Sequence, residues 1–113
     1  MRGRRIVVGL YGDEADLAWA RELVTARARA SARRAPVRAV LRPDTGGHHE
    51  ELAEQWGHER PGVDPGPRRT VELTVRVACS RRSWLRLRRE LPALLCPAGA
   101  GPHVCRTPWS LGW

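Results

Sequence analysis

The sequence predicts a single α+β domain with the β-α-β-β-α-β order of a ferredoxin-like sandwich, carrying a long acidic insertion between the second and third strands. Three observations carry this expectation. Residues 70–77 alternate between Val71, Leu73, Val75 and Val77 and the polar Thr70, Glu72, Thr74 and Arg76. That period of two belongs to a strand with one buried and one wet face. The stretches 13–34 and 81–95 instead space their apolar residues three and four apart, as helices with one apolar stripe do. Finally, the elements run strand, helix, strand, insertion, strand, helix, possible strand, the order of an antiparallel sheet with both helices on one face. A small parallel sheet is the competing topology. Its strands would be covered on both faces, and residues 70–77 alternate too cleanly for that.

Residues 5–12 form the first strand, and the nearly continuous run of Ile6, Val7, Val8, Leu10 and Tyr11 suits a central position. Gly12 permits a tight exit, and Asp13, with Asp16 three residues on, caps the first helix. Asp13, Glu14 and Asp16 in its first turn and Arg27, Arg29, Arg33 and Arg34 at its far end complement the helix dipole. Leu17, Ala20, Leu23, Val24 and Ala28 make its buried stripe. Pro36 ends the helix and opens a second strand, 37–42, with Val37, Ala39 and Leu41 inward and Arg38, Val40 and Arg42 outward. Residues 43–67 are rich in Gly and Pro, but HHEELAEQW within them suits two helical turns with Leu52 and Trp56 on one side.

After the third strand, Ser80 or Ser83 caps a helix whose Trp84, Leu87, Leu91, Leu94 and Leu95 share a face. Leu85 falls on the other side. Pro92 predicts a bend or restart after Leu91, because it lacks an N–H and its ring crowds the preceding turn. In the tail from Cys96, only residues 103–107 read as a short edge strand.

At 113 residues the chain suits one domain able to bury its own core. Its net charge of +8 is supplied by Arg alone, since there is no Lys. That excess, with abundant Ala, Gly and Pro, is the composition of G+C-rich bacterial coding. The charge is segregated: residues 1–42 carry ten Arg and four acids, 43–67 one Arg and six acids, and 68–113 nine Arg and two acids. No run approaches the roughly 20 apolar residues that cross a bilayer. Three cysteines, an odd and small number, do not suggest a disulfide framework. A cytoplasmic chain with reduced thiols is therefore expected.

Two basic surfaces follow. The open sheet face would display Arg38, Arg42, Glu72, Thr74 and Arg76, with Tyr11 as a lone aromatic; arginine forks beside an aromatic suit phosphates and stacked bases. The second is the wet side of the last helix, with Arg81, Arg82, Arg86 and Arg89 placed to lie along a nucleic-acid backbone. Metal-site signals are weak. His48, His49 and His58 accompany Asp44, Glu50, Glu51 and Glu54 at no established spacing, and Cys96, His103 and Cys105 form C-x6-H-x-C without an obvious fourth ligand. Trp109, Leu111 and Trp113 in the tail must dock on the domain or reach a partner.

The sequence has no GxSxG, no P-loop and no Cys/His pair at nucleophile spacing. The function expected is thus a small non-enzymatic module, without a cofactor, that binds a polyanion, either nucleic acid or an acidic protein. Two alternatives are a dimeric ferredoxin-like enzyme of the cyclase or cofactor-free oxygenase type, paired through its sheet face with the histidine-bearing insertion as a lid, and a structural subunit docking through its Trp tail.

Overall fold

In the computed structural model, which describes residues 3–32, 36–96 and 107–112, the strands are β1 (Gly3–Gly12), β2 (Val37–Pro43), β3 (Arg69–Ala78) and β4 (Trp109–Gly112). The helices are α1 (Glu14–Ala32), α2 (Glu50–Glu59) and α3 (Arg81–Leu95). The strands form one sheet in the order β2-β3-β1-β4, and every pairing is antiparallel. The fold is therefore α+β, and the parallel alternative falls. The longest ladder joins β1 to β3 over ten residue pairs, from Gly3↔Ala78 to Gly12↔Arg69.

That register puts Ile6, Val8 and Leu10 on the same face as Val71, Leu73, Val75 and Val77, all buried. Helices α1 and α3 cover this face together. Leu17, Ala20, Val24 and Ala28 from α1 join Leu87, Leu91 and Leu95 from α3 in one continuous core. Each fully buried Val or Leu contributes about 1.5–3 kcal/mol relative to exposure, so this layer outweighs any local preference in the chain.

Local signals place the helix starts. Asp13 Oδ1 accepts from Asp16 N at 2.9 Å while Asp16 Oδ2 accepts from Asp13 N at 3.4 Å, a reciprocal cap on α1. Of the two candidate serines, Ser80 caps α3, its Oγ accepting from Ser83 N at 3.1 Å. The helix does not restart at Pro92; α3 runs unbroken from Arg81 to Leu95. Leu91 and Leu95 are both buried in the core, and Cys96 N donates to Pro92 O at 2.9 Å. Packing on either side of the proline thus offsets the missing N–H.

The second face of the sheet is covered over one end only. Helix α2 lies there with Leu52 and Trp56 buried against Tyr11 in a separate small core, and Arg60 and Arg68 stack on Trp56 with guanidinium-to-ring distances of 5.2 and 4.6 Å. Among the described residues the final strand is Trp109–Gly112; the edge strand expected at 103–107 falls, but for Thr107, outside the described residues. Trp109 and Leu111 have apolar side chains that pack against the main core.

The thiols divide. Cys79 is free and buried, and burial raises its pKa above the usual thiol value. Cys96 is disulfide-bonded, so the expectation of reduced thiols fails there. Among the described residues, no helix is long and apolar enough to cross a membrane.

The cap on α1 has a pH signature. The Asp16 backbone N–H, with a smaller contribution from nearby Arg68, holds the Asp13 carboxyl below its usual range. A carboxyl with a depressed folded pKa stabilises the fold above its unfolded pKa, and loses that contribution as pH falls through the folded value. Asp13→Ala should therefore lower Tm at neutral pH, and the gap to the parent chain should close on acidification. A gap that persists unchanged in acid, followed by circular dichroism melts, would contradict this assignment.

Candidate functional site

The open sheet face is organised in cross-strand rows. Register places Arg38, Arg76 and Arg5 side by side on β2, β3 and β1. The next row holds Val40, Thr74, Val7 and Gly112, and the one after it Arg42, Glu72, Gly9 and Ser110. Beyond these lies Tyr11, under α2. The first two rows are bare, because α2 sits over the Tyr11 end.

Arg5, Arg38, Arg42 and Arg76 are all exposed, and with Val40, Glu72 and Thr74 they line a hollow of ≈ 200 Å³. None of the four arginines has an ion-pair partner among the described residues. Like charges set directly opposite on neighbouring strands are destabilising, so this row keeps an unbalanced positive field on a flat surface. Arg5 was not among the sequence candidates, because only the β1–β3 register reveals that it lies beside Arg76.

The aromatic expected on this face is covered, and the second basic surface lies on α3 as expected. Tyr11 is 7% exposed and tilted against Trp56, with ring centroids 6.1 Å apart. It cannot stack on a base, because α2 occupies the face of its ring. Arg81, Arg82, Arg86 and Arg89 are exposed on α3 and flank the exposed Leu85. Helix α3 covers the opposite face of the sheet, so the two basic surfaces point to opposite sides of the molecule.

The third row contains a constellation the sequence did not announce. His49, the residue before α2, is 8% exposed and projects onto the sheet. Its ring rests over Gly9, where an added Cβ would come within 2.4 Å of Nδ1. The Asp44 carboxylate holds the loop in place, accepting from His49 N at 2.9 Å and His48 N at 3.1 Å. Both ring nitrogens are engaged: Nδ1 lies 3.1 Å from Ser110 Oγ and Nε2 lies 3.2 Å from Glu72 Oε2. The Glu72 carboxylate can only accept, so Nε2 carries the hydrogen. In the neutral ring Nδ1 is then the acceptor, and the Ser110 hydroxyl donates to it.

The metal readings gain no support from this arrangement. Among the described residues, no group of three His, Cys, Asp or Glu side chains could hold an ion. His49 is committed to Ser110 and Glu72, His48 and His58 are exposed, and Cys96 is disulfide-bonded. His103 and Cys105 lie outside the described residues, as does Trp113. Trp109 and Leu111 direct their apolar surface into the chain's own core.

A larger groove of ≈ 770 Å³ runs between α1 and the β2 edge. It mixes Glu14 and Glu22 with Arg21, Arg29, Arg38 and Arg69, and neither histidine nor cysteine lines it among the described residues. Its chemistry is less specific than that of the sheet face. No protein-family model matches the chain, and neither the curated proteins nor the solved structures provide a match.

The seating of His49 predicts a coupled pair of substitutions. Gly9→Ala should destabilise the chain by about 1–3 kcal/mol, the usual cost of overpacking. In a His49→Ala background the same change should cost much less, because its obstacle is gone. Urea unfolding of the four chains tests this, and strict additivity would show that the ring lies elsewhere.

Proposed function

We propose that this chain is a small ferredoxin-like binding module whose bare sheet face takes the phosphates of a nucleic-acid strand. The order β2-β3-β1-β4, with α1 and α3 on one face, supports that family of folds; α2 is then the ordered part of the insertion between β2 and β3. The observation that carries the ligand class is the Arg38–Arg76–Arg5 row. Three exposed guanidinium forks span two strand spacings, roughly 10 Å, without a carboxylate partner among the described residues. A phosphate backbone offers repeated anions to such a row, and arginine binds them with paired N–H donors.

Binding of this kind is independent of base sequence, because Tyr11 is covered and the row offers no other aromatic. Phosphate contacts position a protein on its ligand, whereas base contacts specify sequence. An acidic protein is the other polyanion this face could meet, and the titration below separates the two. The cysteine count points to the cytoplasm, whereas the disulfide at Cys96 favours an oxidising compartment.

Fluorescence anisotropy with single-stranded RNA and DNA across a salt series tests this reading. Affinity should fall linearly on logarithmic axes as salt rises. Arg38→Ala and Arg76→Ala should each reduce the slope by about one, while Arg82→Ala and Arg86→Ala on the opposite side leave it in place. A flat salt response would overturn the nucleic-acid reading in favour of a protein partner. A slope governed by the α3 variants would move the site to the other basic surface.

A further inference from the structure

Beyond anion binding, we propose that Glu72, His49 and Ser110 form a nucleophilic relay and that the chain cleaves small carboxylic esters at Ser110 Oγ. The relay needs three things, and each is present on the third row of the sheet. A nucleophile must touch its base: Ser110 Oγ lies 3.1 Å from His49 Nδ1. The base must be held in one tautomer: Glu72 Oε2 accepts from Nε2 at 3.2 Å, leaving Nδ1 free to take a proton. The base must also be held in position, which the Asp44 bonds to the loop and the glycine beneath the ring accomplish.

With one end on an acceptor-only carboxylate and the other on a hydroxyl, the neutral ring presents Nδ1 as the acceptor for the serine proton. Ser110 is half-buried rather than sealed, on edge strand β4. Backbone geometry adds a donor. Tyr11 N donates to Pro108 O at 3.1 Å, so by alternation Ser110 is the next residue whose N–H and C=O face β1. The Leu111 N–H then faces away from β1 beside the nucleophile, where a carbonyl oxygen developing negative charge can be held.

The step balances with water as the only co-reactant. Ser110 Oγ bonds to the ester carbonyl carbon as its proton passes to His49 Nδ1. The C–O bond to the leaving alcohol breaks, and the alcohol departs with that proton. Water, deprotonated by His49, then releases the acid and restores the serine. Ser110 and His49 are the catalytic residues, and Glu72 is a positioning residue acting through His49. Arg42 shares the row with Glu72, so an ester whose acid portion carries a carboxylate is favoured; this preference rests on the anion-binding reading, whereas the nucleophile does not.

The test uses the full chain with a fluorophosphonate probe, p-nitrophenyl acetate and mono-p-nitrophenyl glutarate. Peptide mass spectrometry should find the probe on Ser110, and Ser110→Ala should lower ester turnover about 100-fold or more with an unchanged circular dichroism spectrum. Glu72→Gln should lower kcat while leaving KM near that of the parent chain, a split that loss of a mere clamp would not give. Labelling at another residue, or a folded Ser110→Ala chain as active as the parent, would overturn the relay. Should that variant fail to fold, the site of labelling on the parent chain decides. The glutarate ester should outpace the acetate at low salt and lose that lead at high salt; equal rates beside labelled Ser110 would overturn the anionic preference and leave the relay standing.

Discussion

The ten-pair ladder between β1 and β3 is the constraint on which everything else rests, because the side-chain period of a strand is two. A slip of one residue would turn Val71, Leu73, Val75 and Val77 out to water and bring Thr70, Glu72, Thr74 and Arg76 into the core. With four apolar residues at stake on β3 alone, no alternative register competes. The register that buries Ile6 against Val75 also sets Arg5 beside Arg76 and Gly9 beside Glu72. The core and the functional face are thus two consequences of one choice.

The placement of α2 divides that face by function. Its Leu52 and Trp56 need apolar cover and find it in Tyr11, at the end of the sheet farthest from the arginine row. Covering the whole face would bury Arg5, Arg38 and Arg76 without partners, at a cost far above the gain from one short helix. The helix therefore stops where the charge begins. The loop before it delivers His49 to the boundary, where a glycine leaves room for the ring. An acidic segment folds onto a basic body through apolar contacts with Tyr11 and through Arg68 stacked on Trp56.

This juxtaposition joins two kinds of chemistry at one edge. The arginine row provides a fixed positive field over a flat surface, and Glu72 sits at its margin, half-exposed and bonded to His49. A carboxylate there is flanked by guanidinium groups on one side and an imidazole on the other. Along the row lie Arg42, Glu72, the His49 ring over Gly9, and Ser110.

Sequence alone determined the features whose causes are local. The alternation of 70–77, the Asp13 and Ser80 caps, the apolar stripes of α1 and α3 and the short helix bearing Leu52 and Trp56 were all readable, because each depends on neighbours within a few residues. Tertiary structure decided the rest. Pro92 stays within α3 because core packing outweighs one lost hydrogen bond. The last strand forms at Trp109–Gly112 because that is where apolar side chains meet the core. Tyr11 lost its expected role to a helix arriving from 41 or more residues along the chain. Arg5 joined the basic row, and Ser110 and Glu72 met His49 across 61 and 23 residues of separation. Such meetings are set by strand register, and register is a property of which strands pair, which no single stretch of the chain contains.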